Sequence, residues 1–270
     1  MEQLLVILTN WGRTQHLPAM MTALQAQSHK VPIVLVDNSP WPNPDSAIIE
    51  ALRPQFADVW RLTVNHGPPC RFAPACLYHD YRYYLFLDDD YLVGPRLVEN
   101  MLANAAALHD HFSTIGWYGR CFERDHGGYS YGYGEVRKKV CDKTGRVRTA
   151  APVDMTVRGH LVRADLLLHA LAFKWKLLEK FRAQIGVGLG RHDDFLLCQG
   201  IQFATRYPSY IAADLPGTAD GTMVAHELRA ADDDVVAARK RPTHRAERTQ
   251  CVRCAVRMGW RSLVGGGKPR

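Results

Sequence analysis

Along the first hundred residues, short apolar runs alternate with segments whose apolar positions recur every three or four residues. Apolar runs of about four to eight residues bounded by turn formers predict buried strands, and the longer spacing predicts helices lying on a sheet. Leu4-Leu5-Val6-Ile7-Leu8 predicts a first strand ending at Thr9-Asn10, residues 14–26 a helix, and residues 31–36 a second strand ending at Asp37-Asn38-Ser39. Pro40-Trp41-Pro42-Asn43-Pro44-Asp45 is turn chemistry that leads into a helix over 46–52. Residues 59–64 predict a third strand ending at Asn65, and Tyr83-Tyr84-Leu85-Phe86-Leu87 a fourth. The alternation argues for an α/β fold with a parallel or mixed sheet covered by helices. Each strand ends in polar groups, and in open α/β sheets ligands bind at that carboxyl edge.

The fourth strand runs directly into Asp88-Asp89-Asp90. Adjacent carboxylates at the end of a buried strand offer hard oxygen ligands for Mg²⁺ or Mn²⁺, and such an ion neutralises a diphosphate leaving group. The chain contains a control for this reading, because Asp232-Asp233-Asp234 lies among alanines and valines with no strand before it. That second triplet predicts a solvated helix start.

Beyond residue 100 the pattern is less regular. Gly127-Gly128-Tyr129-Ser130-Tyr131-Gly132-Tyr133-Gly134 is biased towards Gly and Tyr, so its tyrosines either stack on a sugar or base or pack a loop on the domain edge. Asp142-Lys143-Thr144-Gly145 reads as a hairpin turn, and residues 161–175 as a helix with core-facing apolar positions. Gly186-x-Gly188-x-Gly190 lacks the strand that a dinucleotide fingerprint requires and is expected to be a mobile loop. Asp193-Asp194 follows it and admits two readings: acids favoured at a helix start, or a functional carboxylate pair.

Composition narrows the class. The chain has 270 residues, 47% apolar and 23% charged, which is ordinary for one globular α/β unit. No apolar stretch approaches the roughly 20 residues that span a bilayer, so a cytoplasmic enzyme without a membrane span is expected. The formal net charge is +7, yet residues 239–270 carry ten Lys or Arg against one Glu, which leaves the preceding part slightly acidic. That basic segment suits a nucleotide diphosphate, a polyanionic acceptor such as DNA, or a solvated helix face. The seven cysteines form no regular framework, and Cys251-Val-Arg-Cys254 has no second pair at zinc-finger spacing. Buried thiols are expected, with a Cys70–Cys76 or Cys251–Cys254 disulfide as the alternative in an oxidising compartment.

Taken together, Leu8-Thr9-Asn10-Trp11-Gly12-Arg13, Val34-Leu35-Val36-Asp37-Asn38-Ser39, Asn65 with Arg71-Phe72, and Leu85-Phe86-Leu87-Asp88-Asp89-Asp90 resemble a GT-A glycosyltransferase, most of all the exostosin-type family. Gly159-His160 and His192-Asp193-Asp194-Phe195 resemble that family's acceptor segment and catalytic acidic pair. His244-Arg245-Ala246-Glu247-Arg248-Thr249-Gln250-Cys251, with Met258-Gly259-Trp260, resembles its closing helix. The resemblance implies a GT-A (Rossmann-like) fold over 1–262, with a nucleotide-sugar half at 1–100, an acceptor half at 101–262 and a tail at 263–270. It implies a UDP-sugar donor of GlcNAc, Glc or Gal type, Mn²⁺ or Mg²⁺, and transfer with retention. Thr9, Asn10, Arg13, Asp37, Asn38, Asn65, Arg71, Asp88 and Asp89 would seat the nucleotide sugar. Asp90, Asp88 and His226 would hold the metal, with His244 as another candidate ligand, and Asp193, Asp194 and Arg241 would form the catalytic set.

Three functions remain open at this level. They are transfer to a hydroxyl of a glycan or glycoside, transfer to a hydroxylated DNA base, and a nucleotidyltransferase or inactive sugar-nucleotide binder.

Overall fold

The computed structural model describes residues 2–39, 42–125, 128–130, 140–143, 146–189, 192–215, 224–227 and 243–264. Its strands are β1 (Glu2–Asn10), β2 (Ile33–Asp37), β3 (Asp58–Arg61), β4 (Tyr81–Asp88), β5 (Tyr91–Val93), β6 (Ile115–Arg120), β7 (Glu123–Asp125), β8 (Gly128–Ser130), β9 (Ala151–Val153), β10 (Met155–Arg163), β11 (Ser209–Ile211) and β12 (Val224–Glu227). The α-helices are α1 (Leu17–Gln25), α2 (Ser46–Leu52), α3 (Phe72–Ala75), α4 (Leu97–Ala107), α5 (Leu167–Leu189), α6 (Asp193–Thr205) and α7 (His244–Arg257).

Eight strands form one mixed sheet in the order β3-β2-β1-β4-β10-β6-β11-β9. The first four are parallel, and β10 enters antiparallel between β4 and β6. The central strands read as continuous apolar runs because both of their faces are covered. Leu5, Ile7, Val34, Val36, Tyr84 and Phe86 pack on one face with Phe173 and Leu177 of α5, Ile201 of α6 and Val252 of α7. Their alternates Leu4, Val6, Leu8, Leu35 and Leu85 pack on the other with Met20 of α1, Ile49 of α2 and Met101 of α4. The result is a helix, sheet, helix sandwich in which the period of two along each strand feeds two cores.

Several expected boundaries move, each for a tertiary reason. Residues 14–26 divide into a 3₁₀ turn (Thr14–His16) and α1, whose first turn contains Pro18, where a missing N–H costs nothing. The third strand stops at Arg61 instead of reaching 64, since β3 is an edge strand and Val64 is exposed. The helix expected over 161–175 starts only at Leu167. Leu161, Val162 and Arg163 are the end of β10, paired with Leu85, Tyr84 and Tyr83, and an apolar run cannot announce such a long-range pairing. The glycines expected in a mobile loop also fall elsewhere: Gly186 and Gly188 belong to α5, which departs from helical geometry at Phe181 instead. Gly190 lies outside the described residues.

Two close contacts set the geometry behind the sheet edge. A Cβ on Gly200 would lie 2.7 Å from Ala170 Cα, so α5 and α6 approach backbone to backbone at a residue with no side chain. Trp260, after α7, donates its indole N–H to Gln202 Oε1 at 3.1 Å and meets the rings of Phe122 and Tyr129 edge-on. Tyr129 is therefore core material, packed as expected of its second reading but from strand β8 and not from a loop; Tyr131 and Tyr133 lie outside the described residues. An antiparallel bridge joins Cys141 to Val147 around the expected hairpin turn. All seven cysteines are thiols, and Cys251 and Cys254 are buried.

Candidate active site

Three strands end side by side. Asn10 is level with Asp37, and Thr9 with Asp88, so the residues that follow β1, β2 and β4 share one edge. On its β2 side this edge is cross-braced. Asn10 Nδ2 lies 2.9 Å from Asp37 Oδ1, 2.9 Å from Thr14 Oγ1 and 3.1 Å from Ser39 Oγ, while Asn43 Nδ2 reaches Asp37 Oδ2 at 3.3 Å. Asn38 Nδ2 donates to Asn65 Oδ1 at 2.9 Å, and the backbone N–H groups of His66 and Gly67 donate back to Asn38 Oδ1 and Asn65 Oδ1. These amides thus shape the loops at the edge. Thr9 Oγ1 and Asn10 Oδ1 are buried there with no hydrogen-bond partner among the described residues.

The aspartate triplet divides its work. Asp89 is buried, accepting from Trp11 N–H at 2.7 Å and from Arg13 Nη1 at 2.8 Å, while its carbonyl oxygen meets His16 Nδ1 at 3.0 Å. Burial lifts its carboxyl above the ordinary range despite Arg13. It pins the β1 loop to the β4 turn. Arg13 also stands 3.4 Å from Asp90 Oδ2. Asp88 keeps a side chain 36% exposed and pairs through Oδ1 with Arg71 Nη2 at 2.5 Å. Burial would raise its carboxyl, but the adjacent guanidinium outweighs this and holds it low.

Arg71 joins two parts of the sequence. It ends a 3₁₀ turn (Pro68–Arg71) entered through Gly67 at φ 74°, a backbone conformation that glycine adopts without strain. Its guanidinium, 5% exposed, reaches Asp88 on one side and places Nε 3.0 Å from Asp193 Oδ2 on the other. The acidic pair opens α6, so the helix-start reading is met: the acids sit at the positive end of a helix, and Arg71 also brings Asp193 beside Asp88. Asp194 Oδ1 accepts from Phe195 N–H at 2.8 Å, and its Oδ2 pairs with Arg248 Nη2 of α7 at 2.8 Å. Arg248 Nε in turn donates to His192 Nδ1 at 3.1 Å.

The two carboxyls of the pair are driven apart. Burial pushes Asp193 up to about 6, reinforced by the Asp194 and Asp88 charges and opposed by Arg71. Burial acts on Asp194 too, but Arg248, His192 and His160 outweigh it and hold that carboxyl below its ordinary value. Near neutral pH one of the pair is permanently ionised and the other is poised to exchange a proton, the division that acid–base sites exploit. His160 stands behind them, its Nδ1 2.9 Å from Thr156 Oγ1, with burial lowering it to about 4 so that it is neutral. A bulge in β10 aims it there, with Arg158 at φ 65° and Gly159 at φ 71°. Arg158 is stacked over the rings of Tyr91 at 4.3 Å and Tyr118 at 4.7 Å, and lines a small pocket beside Asp88 together with Trp117 and Met101.

No protein-family model and no curated protein matches the chain. Solved structures do. S. aureus TarS 1–349 in complex with UDP-GlcNAc superposes at TM-score 0.50 and 15% identity, over 87% of this chain and 61% of that one. The TarS 1–349 complex with UDP gives 0.48 at 15% identity over 88% and 64%, and a longer TarS chain 0.47 at 15% over 86% and 38%. The fold is GT-A-like. The chain spans about three-fifths of the TarS 1–349 chain it matches.

On this GT-A-like frame, the described residues of the expected nucleotide and catalytic set gather at one edge. Arg241 lies outside the described residues, as does Asp232-Asp233-Asp234. For His226 the strand position is described: β12 pairs antiparallel with β5, setting residue 226 opposite Leu92, just beyond the triplet. Among the described residues no three His, Cys, Asp or Glu side chains form a preformed metal cluster. Asp88 and Asp90 nonetheless fit a hard cation that keeps water or phosphate in its shell, since Mg²⁺ is commonly held by one or two carboxylates together with substrate phosphates. His244 is buried, set edge-on to His192, and lowered to about 4 by burial.

Arg248, His192 and His160 were quoted from sequence only as parts of motifs, the closing helix, the acidic-pair segment and the acceptor segment, with no role of their own. For Arg248 a signal existed: His244, Arg248, Cys251, Val252 and Ala255 recur at three- and four-residue spacing on the buried face of α7. A guanidinium in an otherwise core-facing stripe requires an acidic partner, although the sequence does not say which.

Proposed function

We propose that this chain is a glycosyltransferase that moves a sugar from a UDP-sugar to a hydroxyl of a glycan or glycoside. The observation that carries the reading is Arg71, whose single guanidinium couples Asp88 at the end of β4 to Asp193 at the start of α6. Donor-side and acceptor-side carboxylates then belong to one cluster at the sheet edge. The UDP-GlcNAc complex of TarS supports a uridine diphosphate donor on this fold. The motif resemblance favours an exostosin-type enzyme acting with retention, built as one GT-A unit over 1–262.

In this reading Asp88 and Asp90 hold the divalent cation, which when bound neutralises the departing diphosphate. Arg13 and Arg71 flank the same diphosphate, where planar guanidinium forks suit phosphate oxygens. The bond from the anomeric carbon to the diphosphate oxygen breaks, and UDP leaves with the electron pair. Asp194, kept ionised by Arg248, stabilises the positive charge that develops at the anomeric carbon. The acceptor hydroxyl oxygen bonds the anomeric carbon, and Asp193 in its ionised form accepts the proton that the hydroxyl gives up.

The deciding experiment incubates the protein with a panel of nucleotide sugars, with Mn²⁺ or with EDTA, and measures released nucleoside diphosphate. Slow, metal-dependent UDP release from one donor is expected. Absence of both release and binding for every donor refutes the proposal, and pyrophosphate release would assign a nucleotidyltransferase instead.

A further inference from the structure

Away from the active-site edge, the two most exposed large apolar side chains among the described residues lie on α5: Leu168 at 65% and Trp175 at 67%. At about 100° per residue, positions 168, 172 and 175 fall within an arc of about 60°. Ala172 is exposed between them, whereas Leu167, Ala170, Phe173 and Leu177 on the opposite side fill the core. A stripe of this kind normally faces a partner.

The surrounding charge indicates which partner. Residues 174–182 contain Lys174, Lys176, Lys180 and Arg182 against Glu179 alone. Lys176 and Lys180 are exposed along one flank of the stripe, and Lys174 lies on the other with Nζ 6.0 Å from the Trp175 ring. An exposed indole and leucine flanked by lysines is the composition of helices that lie in the interface of an anionic bilayer, where apolar side chains enter the acyl boundary and ammonium groups reach the headgroups.

Two other partners fit less well. A second copy meeting this face about a two-fold axis would lay lysines against lysines. A nucleic acid would match the ammonium groups but leave Leu168 and Ala172 without a base to stack on or a group to bond. The position also suits a flat surface. β10 runs antiparallel to β4 and ends with Arg163 opposite Tyr83, so α5 starts at the edge remote from Asp88. Docking there leaves the candidate active site open.

We propose that the Leu168–Ala172–Trp175 face of α5 docks this protein reversibly on an anionic lipid surface. The test is sedimentation with phosphatidylcholine vesicles, with and without phosphatidylglycerol. Binding is expected only to the anionic vesicles and should weaken with salt. Trp175→Ala combined with Leu168→Ser should reduce it more than tenfold, and Lys176→Glu with Lys180→Glu by on the order of fivefold per lysine. Both variants alter exposed side chains only, so the thermal midpoint and UDP release in solution should match the parent. No binding to anionic vesicles, or equal binding by parent and variants, overturns the proposal. So would a concentration-dependent dimer, or DNA binding, that the Trp175→Ala and Leu168→Ser changes abolish while vesicle binding persists. The readout is independent of transfer chemistry, so failure of the proposed activity leaves it standing.

Discussion

Replacing Asp193 by Asn isolates the raised carboxyl of the acidic pair. Burial holds this carboxyl at about 6, against 3.8 for an unperturbed one, a difference equivalent to about 3 kcal/mol. Between about pH 4 and pH 6 the folded protein keeps a proton on Asp193 that the unfolded chain has released. The stability linked to this group is therefore full below about pH 4, falls as pH rises to about 6, and is level above that. Asn is nearly isosteric with the protonated acid and does not titrate. The stability of Asp193→Asn relative to the parent should accordingly rise by up to about 3 kcal/mol between pH 4 and pH 7. Asp88 and Asp194, whose carboxyls are held low, lose their stabilising contribution as the solution becomes acidic, but in both proteins alike, so the difference largely cancels them. Urea unfolding of both proteins at stepped pH measures it. Parallel curves across the window would refute the account of a desolvated Asp193 pressed by two neighbouring carboxylates.

The other expectations concern chemistry and packing. Asp194→Asn should spare UDP binding while lowering turnover by about 10²–10⁴-fold, and Arg248→Gln, which removes the guanidinium holding that carboxyl low, should move the acidic limb of the turnover–pH profile upward. Loss of UDP binding by Asp194→Asn would instead place that residue in the nucleotide site. Asp90→Ala should abolish metal-dependent UDP binding in calorimetry while Asp232→Ala leaves it intact; parental binding by both variants would contradict the metal assignment. Gly200→Ala drives a methyl to 2.7 Å from the Ala170 backbone and should cost about 1–3 kcal/mol in urea unfolding, without changing donor specificity.

Much of the sheet was legible in the chain because strand patterning is local. The runs in β1, β2 and β4 need only their own residues to predict strands, and their polar ends mark the edge of the candidate site by the same logic. The strand-then-turn setting of Asp88-Asp89-Asp90 pointed to a site before any fold was known. Local pattern failed where a partner distant in sequence decided the conformation, as at residues 161–163, claimed by β4, and at Gly186 and Gly188, held within α5. The composition of the basic carboxy-terminal segment likewise concealed that Arg248 points inward to Asp194.

The sequence by itself determined that this protein is an α/β chain with carboxylates at a strand end and at a helix start. Only the tertiary structure decided which carboxylate is pinned, which is paired and which holds its proton, since each outcome depends on a guanidinium brought in from elsewhere: Arg13 for Asp89, Arg71 for Asp88 and Asp193, and Arg248 for Asp194. Coulomb interaction and desolvation act through space over a few ångströms, and the residues they couple here stand between 17 and 122 positions apart in the chain.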